Sequence, residues 1–225
     1  MNRKARRCIS LTLCLCLIVS GLSAFPVLAK EKTSAPRVAL TFDDGPHPGR
    51  TKRILSLLDR YSVKATFFIL GCNAENYPEP LALAIERGHE IEDHSFDHVT
   101  QGKTVKELES SIVKTAQIIE RASGRSPRYF RPPEGRCTPE LDEALSVLGY
   151  QSVLWTLDTR DWTGKPADAI ARDVLCTVKD GDILLFHDYT CPGENTLHAL
   201  ERIIPALLLR GFRFLTVEEM FACSN

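Results

Sequence analysis

Residues 38–42, Val-Ala-Leu-Thr-Phe, and 65–69, Ala-Thr-Phe-Phe-Ile, are short runs that are almost wholly apolar. Runs of this length with no polar alternation predict strands covered on both faces. Between them Ile54, Leu55, Leu57, Leu58 and Tyr61 recur at helical spacing. The same exchange of periods continues along the chain. Residues 81–87 predict a helix ended by Gly88, and 89–91 begin the next strand. Thr104 and Glu107 form a capping-box pattern ahead of an apolar face of Val105, Leu108, Ile112, Ala116 and Ile119, which Gly124 stops. A short strand at 129–130, a helix over 141–148 and a strand over 150–155 follow. A helix over 168–178, a strand over 182–186, a long helix carrying Leu197, Leu200, Ile203, Ile204, Leu207 and Leu208, and a strand over 212–216 complete the pattern. Gly88, Gly149 and Gly211 each sit between a helix and a strand, where a residue of positive φ ends the helix. Alternation of this kind predicts an α/β fold with a parallel sheet and covering helices. About seven strands suit a distorted (β/α) barrel, with an open doubly wound sheet as the other architecture.

The first 29 residues do not share this pattern. Arg3, Lys4, Arg6 and Arg7 precede an apolar run over 9–19, and Val27, Leu28 and Ala29 supply small residues for cleavage. That order reads as a secretory signal peptide, with an uncleaved N-terminal membrane anchor as the rival, since ~20 apolar residues can span a bilayer. Either reading exports the rest, so a secreted or cell-surface protein is expected, with residues 30–225 as one catalytic domain. Setting aside the four basic residues of 1–29 leaves 24 basic against 29 acidic side chains, a net charge of −5. That balance lacks the basic footprint nucleic acid requires. Five cysteines remain, Cys72, Cys137, Cys176, Cys191 and Cys223. They show no CxxC metal spacing, and an odd number cannot all pair within one chain. Scattered thiols with at most one or two disulfides are expected.

The polar clusters gather at one end of the expected strands, where parallel α/β folds place their chemistry. Asp43-Asp44-Gly45 follows the first strand, His94 and His98 the third, Arg131 the fourth, Asp158, Asp161 and Trp162 the fifth, and His187-Asp188 the sixth. Taken singly, each has an ordinary explanation. Asp-Gly is a common turn, paired surface histidines are frequent, a Pro-Pro turn can be purely structural, Trp162 can be a rim aromatic, and a histidine after an apolar strand is more often a satisfied buried group. Together they form a constellation. His94 and His98, four apart, share a face in helical geometry. With Asp44 they give one carboxylate and two imidazoles, leaving positions for water and substrate as catalytic zinc requires. Cobalt or nickel suits the same donors. Asp43 is then placed to handle protons. The stiff Arg131-Pro132-Pro133-Glu134-Gly135 loop can aim a backbone N–H at an oxyanion.

The series Thr41-Phe42-Asp43-Asp44-Gly45-Pro46, His94-Ser95-x-x-His98, Arg131-Pro132-Pro133-x-Gly135, Asp161-Trp162 and Leu185-x-His187 resembles the polysaccharide deacetylase family, the NodB-homology or carbohydrate esterase 4 group. The resemblance spans roughly residues 37–187. It implies a distorted seven-stranded (β/α) barrel and a set of roles. Asp43 is the general base, Asp44, His94 and His98 hold the metal, and Arg131 orients the base. His187 is the general acid, Asp161 tunes it, and Leu185 lines the pocket for the acetyl methyl. Pro133, Glu134, Gly135 and Trp162 form the substrate groove. The implied reaction is hydrolysis of an N-acetyl group on an amino sugar of peptidoglycan or a chitin oligosaccharide. An O-acetyl ester of xylan type, or glycan binding without catalysis, are the rival functions. The partner is a polysaccharide, and the chain is expected to act as a monomer. One position departs from the family pattern: Glu134 stands where an aromatic residue is usual. The expectation is that Glu134 faces the cleft and disfavours anionic sugars.

Overall fold

The protein is described by a computed structural model that covers residues 35–189 and 194–223, so the expected leader at 1–29 and Cys191 lie outside the described residues. Strands and helices alternate along it: β1 (Arg37–Asp43), α1 (Arg50–Arg60), β2 (Thr66–Ile69), α2 (Gly71–Asn76), α3 (Pro78–Glu86), β3 (Glu90–Asp93), α4 (Val105–Ser123), β4 (Tyr129–Phe130), α5 (Pro139–Leu148), β5 (Gln151–Ser152), β6 (Leu157–Asp158), α6 (Ala167–Thr177), β7 (Asp182–His187), α7 (Asn195–Leu209), β8 (Arg213–Leu215) and α8 (Val217–Ala222). Local chemistry sets several boundaries. Thr104 and Glu107 make the anticipated capping box at α4, worth about 1 kcal/mol, and Gly124 closes that helix at φ 70°.

All strand pairs are parallel, in the order β5-β4-β3-β2-β1-β7-β6, with β8 beside the start of β1. The two ends of that path, β5 and β6, are joined by only residues 153–156. The sheet therefore curls until the chain bridges its own gap: the Val153 N–H donates to Phe130 O at 2.9 Å and the Thr156 N–H to Ile183 O at 3.0 Å. This is the distorted barrel rather than the open sheet. Counted as one interrupted traverse, β5 and β6 bring the strands to seven. The continuous strand expected over 150–155 is thus corrected. Its carbonyls at Val153 and Leu154 are taken by the Arg131 guanidinium, at 3.1 and 3.4 Å, instead of by a neighbouring strand.

Side chains alternate across the curled sheet. Val38, Leu40, Phe42, Phe67, Ile69, Leu184 and Phe186 pack outward into the layer beneath α1, α6 and α7. Ala39, Phe68 and Ile183 join Tyr129, Val153, Leu215, Val217 and Met220 in a separate cluster. The two-residue period that sends Ala39 to this second face also sends Thr41 and Asp43 there, and on β7 it sends Leu185 and His187 after Ile183. In register, Asp43 lies beside His187 on β7 and Phe68 on β2. The apolar lower half thus carries a polar upper rim.

Candidate active site

Asp43 and Asp44 converge because the chain turns between them. Asp43 ends β1, whereas Asp44 adopts φ 75°, a left-handed conformation that aspartate tolerates better than most residues. Asn73 on α2 fixes that turn by donating to the Asp44 carbonyl at 2.7 Å. The carboxylates are 3 and 4 % exposed as residues. Arg131, fully buried, donates from Nη1 to Asp43 Oδ1 and to Thr41 Oγ1, both at 2.7 Å, and its guanidinium lies 4.0 Å from the Phe68 ring centroid. Burial pushes the Arg131 pKa down and Asp43 opposes that shift. A buried pair of this kind is held by mutual need: removing either partner strands the other charge.

His94 and His98 reach the same place by a route unlike the one anticipated. Residues 94–98 are not helical; Ser95 and His98 take φ 74° and 62°. The shared face comes from a tight loop, pinned by Ser95 N–H to Asp93 Oδ1 at 2.7 Å and His98 N–H to Ser95 Oγ at 3.1 Å. Helix α2, which sequence periodicity did not reveal, anchors the loop: Gly71 and Cys72 donate their N–H groups to the carbonyls of Ser95 and Phe96 at 3.0 and 2.9 Å. Gly71 must be glycine, because a Cβ there would lie 2.5 Å from the Phe96 ring and the Thr115 hydroxyl. Asp44 Oδ1 lies 3.5 Å from Nε2 of both histidines, and the three ligand atoms fall within 4.8 Å of one another. His94 Nδ1 meets the Arg131 carbonyl at 2.7 Å. A carbonyl can only accept, so Nδ1 carries the proton and Nε2 presents its lone pair, the usual way a ligand imidazole is oriented. Burial, then His94, lowers the His98 pKa, which favours the neutral form a cation needs. One carboxylate and two imidazoles at this spacing suit a divalent cation with positions left for water and substrate.

Opposite stands His187. Its Nδ1 is 2.8 Å from Asp161 Oδ1, while Asp161 Oδ2 accepts from the His187 N–H at 2.9 Å and from Thr196 at 2.8 Å. Asp161 is completely buried, so its bonds fix the imidazole orientation rigidly. The 131–135 loop closes the third side. Its prolines carry no N–H, Arg131 N–H donates to Asp93 O, and Gly135 N–H donates to Pro132 O. The backbone donor left in that loop is the N–H of Glu134.

These groups line a cleft of about 580 Å³ formed by Asp43, Asp44, His94, His98, Glu134, Trp162, Leu185 and His187, together with Arg136, Trp155 and Asp158. Of the anticipated site residues, Arg131, Asp161, Pro133 and Gly135 stand behind the lining and support it. Arg136 and Trp155 were not singled out from sequence. Trp155 read as a strand residue, and Arg136 lies just past the proline motif. Glu134 does face the cleft, but it is paired: Arg136 Nε lies 3.1 Å from its Oε2. Beneath the turn, Asp188 accepts from Thr51 and lies so close to Gly45 that a Cβ there would sit 2.3 Å from its Oδ1. Away from the cleft, Cys72, Cys137, Cys176 and Cys223 are free thiols.

Residues 30–153 match the family model described as Polysaccharide deacetylase. A peptidoglycan-N-acetylglucosamine deacetylase of Bacillus cereus is 38 % identical over 192 residues, covering 84 % of this chain and 69 % of that one. The peptidoglycan-N-acetylmuramic acid deacetylase PdaC of Bacillus subtilis is 36 % identical over 197 residues, 86 % of this chain and 41 % of that protein. The solved structure of PdaC superposes with a TM-score of 0.78 at 34 % identity, covering 85 % of this chain and 92 % of that one. A family 4 acetyl xylan esterase from Clostridium thermocellum, solved with a cobalt ion, gives a TM-score of 0.77 at 35 % identity, covering 83 % and 90 %.

Proposed function

The chain belongs to the polysaccharide deacetylase family, and we propose that it removes N-acetyl groups from the amino sugars of peptidoglycan by metal-assisted hydrolysis, releasing acetate. The observation that carries this reading is the single cleft in which Asp44, His94 and His98 lie beside the Asp43–Arg131 pair and share a lining with His187. Peptidoglycan is favoured over chitin or acetylated xylan by the likeness to the Bacillus cereus enzyme.

Asp44, His94 and His98 would hold a divalent cation, zinc by default and cobalt or nickel with the same donors. When bound, such a cation polarises the acetamide carbonyl and makes water more acidic. Asp43 takes the proton of the attacking water. Arg131 occupies its Oδ1, while Oδ2 lies 3.7 Å from His94 Nε2, one of the three candidate ligand atoms. The Glu134 N–H donates to the oxyanion that develops at the carbonyl oxygen. His187 gives a proton from Nε2 to the departing nitrogen, its Nδ1 being committed to Asp161. Leu185 receives the acetyl methyl, and Trp162, 52 % exposed at the rim, offers its face to a sugar ring. The products are acetate and a free amino sugar.

The leader pattern at 1–29 supports export, so that the protein, acting as a monomer, meets its polymer outside the cell. Any membrane tie would fall to that leader, since no described helix is long and apolar enough to cross a membrane. Acetate release from peptidoglycan, chitin oligosaccharides and acetylxylan, by metal-supplemented protein and by Asp43→Asn, tests the reading. Wild-type protein should release acetate fastest from peptidoglycan, and Asp43→Asn should be slower by about 10²–10⁴-fold. Acetate mainly from acetylxylan would make the chain an esterase. No acetate at all, from protein shown to hold its metal, would leave a glycan-binding role.

A further inference from the structure

Among the residues lining the cleft, Arg136 is the one carrying a fixed positive charge. It stands against four carboxylates there, of which Asp43 is matched by Arg131 and Asp44 belongs to the metal donors. A neutral sugar has no need of a guanidinium at this rim. We propose that Arg136 recognises a carboxylate carried by the glycan next to the reacting acetamide, so that the preferred substrate contains N-acetylmuramic acid, whose lactyl group bears that carboxylate. The inference rests on the deacetylase reading of the cleft and names its substrate more closely.

The backbone that presents Arg136 is stiff. Its N–H donates to Pro133 O at 3.1 Å, and Gly135 N–H donates to Pro132 O at 2.9 Å. Gly135, at φ 67°, lies flat on Trp155; a Cβ there would come 2.9 Å from the indole. Glu134 holds φ 57°, a left-handed conformation that costs an L-residue roughly 1–2 kcal/mol. A strained non-glycine residue set on two prolines and a tryptophan is placed at some cost, and strain of this sort concentrates at functional sites.

The pair itself does little for stability. Arg136 and Glu134 side chains are 58 and 53 % exposed, and ion pairs in that setting contribute little. Glu134 pairs at Nε, which leaves the two-donor Nη1–Nη2 edge without a hydrogen bond among the described residues. That edge matches a carboxylate in a bidentate bond, which lysine cannot reproduce. On this proposal the positive charge of Arg136 offsets the Glu134 carboxylate, which was expected to face the cleft and disfavour anionic sugars.

Both tryptophans of the chain, Trp155 and Trp162, line the cleft, so intrinsic fluorescence reports its occupancy. The test uses a peptide-free tetrasaccharide of alternating N-acetylglucosamine and N-acetylmuramic acid, as the free acid and as its methyl ester. Acetate release gives kcat/KM for each, and fluorescence titration of Asp43→Asn protein gives Kd for each. The free acid should be preferred by about tenfold in both readouts, the size of a hydrogen bond to a charged group, with KM carrying the kinetic difference. Arg136→Gln should bring both ratios near one, and Arg136→Lys should restore only part. A wild-type ratio near one, or a preference that survives Arg136→Gln, overturns the proposal. If neither substrate yields acetate, the deacetylase reading fails, and the Kd ratio still decides the role of Arg136.

Discussion

At the upper rim of the barrel, Asp43 is buried against a fully buried guanidinium, and Asp44 is buried between two imidazoles. At the opposite end, where β3 starts, Glu92 is buried just as deeply and Glu90 beside it is partly buried, yet no guanidinium bonds to either among the described residues. Their partners are hydroxyl and backbone groups: the Thr66 hydroxyl and the Val217 and Glu218 N–H groups donate to Glu90, and the Arg128 and Tyr129 N–H groups to Glu92. Burial, and then the charge of Glu90, pushes the Glu92 pKa up to about 9. Glu90 is also raised by burial. Both ends pay desolvation, but they neutralise it differently. Below, a retained proton and backbone donors tie β4 and α8 to the barrel. Above, a fixed cation faces the carboxylate, so Asp43 is held as its charged form, the form a base needs to take up a proton. Buried carboxyl groups are thus held by backbone donors at one end and by a guanidinium and two imidazoles at the other, and the chemistry we propose falls at the end where the fixed cation stands.

Removing the fixed cation should have the largest effect. Arg131→Met leaves Asp43 buried without its partner and frees the Val153 and Leu154 carbonyls that interrupt the closing strand. The expected loss is about 3–5 kcal/mol in urea unfolding, together with most of the acetate release. Adding Asp43→Asn should recover part of that stability and none of the activity. If the double variant is no more stable than Arg131→Met, the pair is not what holds this end together. A chelator should act next most strongly. Metal present at 100–1,000 times its Kd contributes about 3–4 kcal/mol, so its removal should lower Tm by several degrees. His98→Ala should abolish that shift, and Glu92→Gln should leave it intact. A wild-type Tm indifferent to chelator would mean the three side chains hold no ion.

The elements that place the site were readable because each rests on a local cause. β1, β2 and β7 are apolar runs, α4 carries its capping box, and the glycines at 88, 124, 149 and 211 all take positive φ. The residues at the strand ends were readable as a group for the same reason, since a parallel barrel sends alternate residues inward. What escaped depends on contacts across the chain. The 94–98 loop looked helical from the spacing of its histidines, but its geometry is imposed by α2. That helix has the sequence Gly-Cys-Asn-Ala-Glu-Asn, which has almost no apolar period to detect. The break in the 150–155 strand is made by Arg131, about twenty residues earlier. Arg136 lines the cleft beside Trp155, a neighbour about twenty residues away in sequence. Glu90 and Glu92 looked like ordinary polar strand residues until the barrel closed over them.

The lower carboxyl pair gives the smallest effect and the most direct test of the contrast. Glu92 is held at about 9 when folded and returns to about 4.5 when unfolded. Between those limits the folded chain binds more protons, so unfolding becomes easier as pH rises. Stability from this group is complete below about pH 4.5 and is lost as pH climbs through 9. Each unit in that window counts about 1.4 kcal/mol per proton, so going from pH 6 to pH 8 should lower the unfolding free energy by on the order of 2–3 kcal/mol. Glu90 and Glu218 face the same region, with Arg128 and Arg125 paired to Glu218, so the pair titrates as a unit. Glu92→Gln keeps an oxygen for the Arg128 and Tyr129 N–H groups and removes the ionisation. Urea unfolding at pH 6 and pH 8 should therefore show a flatter profile in Glu92→Gln than in wild type, with the variant gaining at pH 8. Equal slopes in the two proteins would mean that the lower pair is not held by its proton, and the contrast between the two ends of the barrel would fail there.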